Sequence, residues 1–215
     1  MSNTPAMNSS ALHLQNLACM RGGKTLFADL SVVLEPGHLL RITGSNGAGK
    51  SSLLRMLCGL LTPSMGSIQW GENPILADRD FFHTQLIYLG HTPALKGDLS
   101  AEENIIAAGS LSGDVITSSM ARAALANSGL GHLASRLART FSQGQKQRVA
   151  LARLQLAQDK PLWLLDEPFN ALDQDANEAL QALIQGHLSR GGMVALSSHQ
   201  LVALDRIDRV VRVNL

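Results

Sequence analysis

The sequence predicts an α/β fold: a mostly parallel sheet carrying a glycine-rich loop, an antiparallel β region ahead of it, and a helical insertion behind it. Three observations carry that reading. Leu39-Leu40-Arg41-Ile42-Thr43 is a short apolar strand that runs into a glycine-rich loop, and helical periodicity follows the loop. Leu162-Trp163-Leu164-Leu165 is a continuous apolar run ending in Asp166 and Glu167, as a strand buried on both faces reads. Between them, His91 to about Leu137 is rich in Ala, Ser, Gly and Leu at helical spacing and shows no strand pattern.

The loop Gly44-Ser45-Asn46-Gly47-Ala48-Gly49-Lys50-Ser51 reads G-x-x-x-x-G-K-S, the phosphate-binding loop of P-loop nucleotidases. Its glycines let the backbone approach phosphate, and successive N–H groups at the helix start point at the anion. Lys50 is expected to reach the β and γ phosphates and the Ser51 hydroxyl to take a place on Mg²⁺. The neighbouring Ser52 completes the expected nucleotide-binding set. Ligands gather at the carboxyl ends of parallel strands. Asp166 is therefore placed to hold Mg²⁺ through water, and Glu167 to polarise an attacking water.

In chain order, residues 1–10 are polar and expected to be disordered. They lack the charged and apolar segments of a signal peptide. Leu12, Leu14 and Leu17 open a strand that ends at the turn Arg21-Gly22-Gly23-Lys24, and Leu26 to Leu34 returns antiparallel to it. After the loop, Leu53, Leu54, Met56, Leu57 and Leu60 mark a helix over 52–60. Ser67 to Trp70 reads as a strand, 72–82 as loop, and Gln85 to Leu89 as a strand. Ser100 and Glu103 have capping-box spacing ahead of one helix, and Thr117 to Ser128 is a second, stopped by Gly129. Ser142 and Gln145 cap a third helix, whose apolar side is Val149, Leu151, Ala152, Leu154 and Leu156. Met193 to Leu196 is a β-type run leading to His199.

Composition narrows the classes. A net charge of +1 and 4% aromatic residues argue against a polyanion-binding or base-stacking surface, so no nucleic-acid partner is expected. No apolar run approaches the roughly 20 residues that span a bilayer, so any membrane role requires a partner. Cys19 and Cys58 read as packed thiols. No C-x-x-C-H motif occurs, and no haem bound by this chain is expected.

The order of these motifs resembles the ATP-binding cassette (ABC) family from Leu12 onward. Gly44 to Ser51 matches the Walker A motif, Leu162 to Glu167 the Walker B with its catalytic glutamate, and Phe141-Ser142-Gln143-Gly144-Gln145 the signature. Asn170-Ala171-Leu172-Asp173 matches the D-loop and His199 the switch histidine. The resemblance implies a single nucleotide-binding domain over 11–215, with a RecA-like P-loop core and a helical subdomain at about 92–150. It implies ATP hydrolysis with Mg²⁺ by Lys50, Glu167, His199 and His91. It also implies a homodimer in which Ser142, Gln143, Gly144 and Gln145 of one copy face the ATP held by the other.

Within that family the chain is most similar to ATPase subunits of cytochrome c maturation, the haem-exporter type. Ile42-Thr43-Gly44-Ser45-Asn46-Gly47-Ala48-Gly49-Lys50 and Leu89-Gly90-His91-Thr92-Pro93 carry the similarity, supported by Arg21 and Leu26-Phe27. This implies docking on transmembrane subunits at the cytoplasmic face of a bacterial inner membrane, with an indirect link to a periplasmic haem chaperone.

Three positions depart from the family pattern. Arg21 stands where many relatives stack an aromatic residue on adenine, and a guanidinium can also stack. Gln143 replaces the first signature glycine. His91 stands where most carry glutamine, which contacts Mg²⁺ and water and couples hydrolysis to the membrane partner. Other readings are the ATPase of a different ABC transporter, a soluble ABC ATPase, or a P-loop kinase or GTPase. The chain shows no second cassette, no heptads and no N-K-x-D motif.

Overall fold

The computed structural model describes residues 10–198 and 209–215. Strands β1 (Leu12–Arg21) and β2 (Lys24–Leu34) form the expected antiparallel hairpin, with Arg21 opposite Lys24 across the Gly22-Gly23 turn. Strand β3 (Leu39–Thr43) leads into helix α1 (Lys50–Leu57). Next come β4 (Met65–Trp70), the short β5 (Asn73–Pro74), helix α2 (Arg79–Thr84) and β6 (Leu86–Leu89). Helices α3 (Ala101–Leu111), α4 (Ser118–Asn127) and α5 (Gln143–Ala152) follow. The chain continues through β7 (Leu162–Asp166), α6 (Gln174–Ser189), β8 (Met193–Ser197) and β9 (Val210–Asn214).

The described strands form two sheets. One is antiparallel, in the order β2-β1-β4-β5; the other is parallel, in the order β6-β7-β8-β3-β9. Every residue of β7 and β8 is buried, which explains why both read as unbroken apolar runs. Their side chains alternate between two cores. Leu162, Leu164, Met193 and Ala195 pack with Leu53, Leu54 and Leu57 of α1 and with Leu12, Leu14 and Leu17 of the antiparallel sheet. Trp163, Leu165, Val194 and Leu196 pack with Leu180, Ile184 and Leu188 of α6. Helices α3 to α5 enclose a third core of Ala101, Ile105, Leu125, Phe141 and Val149.

Both predicted capping boxes are present. Ser100 accepts from the Glu103 N–H while Glu103 accepts from the Ser100 N–H, and Ser142 and Gln145 do the same at α5. Two expectations need correction. The stretch 72–82 is not simply loop: Asn73 and Pro74 pair with β4, and Asp78 caps α2 through the Phe81 N–H at 3.0 Å. Helix α1 ends at Leu57, and Leu60, expected on its apolar face, is 65% exposed. The turn at Cys58 and Gly59 rotates it off that face. Strand β9 was not foreseen, although its valines 210, 211 and 213 are the β-branched signal that marks a strand. Cys19 and Cys58 are buried free thiols, and burial pushes the Cys58 pKa up to about 11.

One buried histidine gives the core a pH dependence. His187 on α6 is fully buried and stacks on Trp163, with ring centroids 3.8 Å apart and planes 12° from parallel. Burial, with a smaller contribution from the Arg190 charge, lowers its pKa from 6.5 to about 4. The neutral form is therefore the folded form. Its contribution is intact above pH 6.5 and is lost as pH falls from there toward 4. By pH 5 the loss should be about 2 kcal/mol. His187→Phe keeps the stack and removes the proton site. Urea midpoints at pH 7 and pH 5 should then diverge less for the variant than for the wild type; equal divergence would discard this account.

Candidate nucleotide site

The loop after β3 is shaped by close approaches that only glycine permits. A Cβ at Gly44 would lie 2.7 Å from the Leu215 carbonyl oxygen, and one at Gly49 3.1 Å from the Phe27 ring. Both residues also have positive φ, 144° and 110°. The loop is thus pressed between Leu215, just past β9, and Phe27 of β2, while Ser45, Asn46 and Gly47 face solvent. Ala48 is half-buried, its N–H donating to the Ser45 carbonyl at 3.2 Å. Gly49 caps α1, so the free N–H groups of the first helical turn open onto the loop. Lys50 lies along it: its Nζ donates to the carbonyls of Gly44 at 2.9 Å and Ser45 at 3.0 Å. Ser51 and Ser52 follow on the first turn of α1, half-buried.

The acidic pair sits at the end of β7, which pairs directly with β8. Asp166 ends β7, pairs in register with Ser197 and is 2% exposed. Its Oδ1 accepts from the Ser197 hydroxyl at 2.7 Å. Its Oδ2 is buried and takes no hydrogen bond among the described residues. Glu167, 7% exposed, turns out of the strand with φ of 52°, a left-handed conformation that costs on the order of 1 kcal/mol outside glycine. Its N–H donates to the Ser197 hydroxyl at 2.9 Å. Ser197 was not among the expected site residues. The apolar run Met193 to Leu196 ending in a small polar residue beside the acidic strand was the available signal.

The signature segment is tied to the D-loop. A Cβ on Gly144 would meet the Ala171 carbonyl oxygen at 2.7 Å, and the buried Gln147 amide donates to the Pro168 carbonyl at 3.1 Å. Arg148 donates to the Ser128 carbonyl and pairs with Asp173, the cap of α6. Ser142, Gln143, Asn170 and Ala171 are exposed, and Gln145 is half-buried within its capping box.

His91 is exposed, two residues beyond β6, whose Leu89 pairs with Leu165. His91 and Glu167 each follow that paired position by two residues. The loop after it is held by Asn104, a residue without an expected role: it accepts from the Lys96 N–H and donates to the carbonyls of Lys96, Leu99 and Ser100. Arg21 is exposed at the end of β1. The expected role of His199 falls outside the described residues.

Comparison with known proteins gives this arrangement a family. The family described as ABC transporter matches residues 27–170, which run from Phe27 beside the loop to the start of the D-loop. The chain belongs to that family. As an ABC member it is an ATPase. It is 48% identical over 191 residues, 89% of this chain and 93% of the relative, to the "Cytochrome c biogenesis ATP-binding export protein CcmA" of Dechloromonas aromatica (strain RCB). A protein of the same name from Aromatoleum aromaticum is 46% identical over 88% of each chain. A solved "ATP binding subunit of ABC transporter" superposes with a TM-score of 0.83 at 27% identity, covering 95% of this chain and 86% of that one. A solved "Putative ABC transporter (ATP-binding protein) from Pyrococcus furiosus" gives 0.81 at 26%, covering 96% and 98%. The α/β architecture with one parallel and one antiparallel sheet is therefore the ABC ATPase fold.

Proposed function

We propose that the chain is the ATP-hydrolysing subunit of a bacterial inner-membrane complex for cytochrome c biogenesis, of the haem-exporter type. The observation that carries this is the 48% identity to a cytochrome c biogenesis export protein across nearly the whole length of both chains.

Residues 44–52 would cradle the phosphates, with Lys50 supplying the charge and Arg21 flanking the base. The Oδ2 of Asp166, without a hydrogen bond among the described residues, and the half-buried Ser51 hydroxyl are hard oxygen donors that suit Mg²⁺. When bound, the ion would neutralise phosphate charge. Glu167 would polarise the attacking water. His91 and His199 would contact the water and the γ-phosphate. The phosphate loop and the signature are both open to solvent, which suits closure by a second copy: Ser142, Gln143, Gly144 and Gln145 would cover the nucleotide held by its partner. Two clefts of about 420 and 380 Å³ lie elsewhere, against Cys58 and His83 and against Arg148 and Leu183.

Among the described residues no helix is long and apolar enough to cross a membrane. Attachment to the cytoplasmic face would therefore run through transmembrane subunits, with the haem chaperone reached only indirectly and on the far side. A host lacking this protein should lose mature c-type cytochromes while keeping b-type haemoproteins, as read by haem staining and reduced-minus-oxidised spectra. Normal c-type cytochromes in that strain would refute the pathway and leave the ATPase intact.

A further inference from the structure

From the hydrogen-bond geometry at the end of β8 we infer that Ser197 is a positioning residue for both carboxylates, an inference that rests on the roles of Asp166 and Glu167 given above. Ser197 is fully buried, and strand pairing on both sides holds it, to Asp166 on β7 and Ile42 on β3. A serine hydroxyl has one proton and two lone pairs. Here the proton goes to Asp166 Oδ1 at 2.7 Å, and a lone pair takes the Glu167 N–H at 2.9 Å. The two bonds constrain each other, because the N–H fixes which side of the oxygen is free to donate.

Two consequences follow for the site. Asp166 Oδ1 is occupied, so the carboxylate cannot rotate freely and Oδ2, without a partner among the described residues, is the oxygen left for a metal or its water. Glu167 is also anchored through its backbone at the point where the chain leaves the sheet with φ of 52°. Just beyond the strand end the serine oxygen is the acceptor for this left-handed residue's N–H. Alanine would remove both the acceptor of the Glu167 N–H and the donor to Asp166 Oδ1.

The test uses Ser197→Ala, Ser197→Thr and the near-isosteric Ser197→Cys in the assembled membrane complex. Three quantities are measured: ATP turnover, the Mn²⁺ concentration giving half-saturation of the bound-ion resonance spectrum with a non-hydrolysable ATP analogue, and fluorescent-ATP affinity in EDTA. Loss of a hydrogen bond to a charged group should lower kcat by about 10-fold in the alanine variant. The Mn²⁺ half-saturation should rise several-fold, and metal-free nucleotide affinity, set by the phosphate loop, should be unchanged. Threonine keeps the hydroxyl and should restore both altered quantities; cysteine, a weak donor, should fall between, and carries the test should alanine fail to fold. Wild-type kcat and Mn²⁺ dependence in the alanine or cysteine variant would overturn the inference. So would an equal loss of metal-free nucleotide binding, which would mark a merely structural role. Asp166→Asn and Glu167→Gln serve as reference variants. Full turnover in those two would refute the carboxylate roles themselves, separately from Ser197.

Discussion

Lys50→Ala should lower ATP turnover of the assembled complex by about 100- to 1,000-fold, the effect of removing a positioned charge from a developing anion. Lys50 is 7% exposed and runs back along the loop, with its Nζ 2.9 Å from the Gly44 oxygen and 3.0 Å from that of Ser45. Those carbonyls hold the ammonium group over the loop, where the flanking N–H groups also point. Truncation therefore removes the cation and also leaves two loop carbonyls without their donor. Both nucleotide affinity and turnover should fall, as measured by fluorescent-nucleotide titration and phosphate release. Wild-type turnover in the purified variant complex would refute the assignment of the loop.

Glu167→Gln should separate binding from chemistry. An amide is too weak a base to assist water, and loss of a general base typically costs about 100-fold or more in rate. The backbone bond from Glu167 N–H to Ser197 does not involve the altered group, so the left-handed turn should survive. Nucleotide should then bind and remain. Size-exclusion chromatography with ATP and Mg²⁺ should show more dimer for the variant than for the wild type. A variant that stays monomeric in both soluble and membrane-bound preparations would argue against the paired arrangement.

The parts of the molecule governed by local rules were readable from residue type. Glycine spacing, two capping boxes and an apolar run ending in two carboxylates each reflect a single element, and Gly49, Ser100, Ser142 and Asp166 sit where those rules put them. Helix α2 escaped because six residues make too little periodicity to register, although its Asp78 cap was visible. The end of α1 was misread because Leu60 continues the apolar count past the turn that breaks the helix. What sequence order could not supply is which strands are neighbours. The role of Ser197 depends on β8 lying against β7, and that of Asn104 on a loop folding back over the start of α3. The site residues also sit on separate cores, since α1 packs into one and α5 into another.

The strand order carries a consequence for biosynthesis. Strand β3, which presents the phosphate loop, lies between β8 and β9, so both of its hydrogen-bonding edges are completed by chain that lies more than 140 residues further on. At synthesis rates of about 5–20 residues per second, the nascent chain carries that apolar strand for roughly seven to thirty seconds before either neighbour exists. During this interval α1 and the antiparallel hairpin can cover one face of β3, but nothing local can cap its edges. The strand that leads into the glycine-rich loop is thus the one that waits longest on the ribosome with open edges. Until those neighbours arrive, its unpaired edges are a template for pairing with other chains.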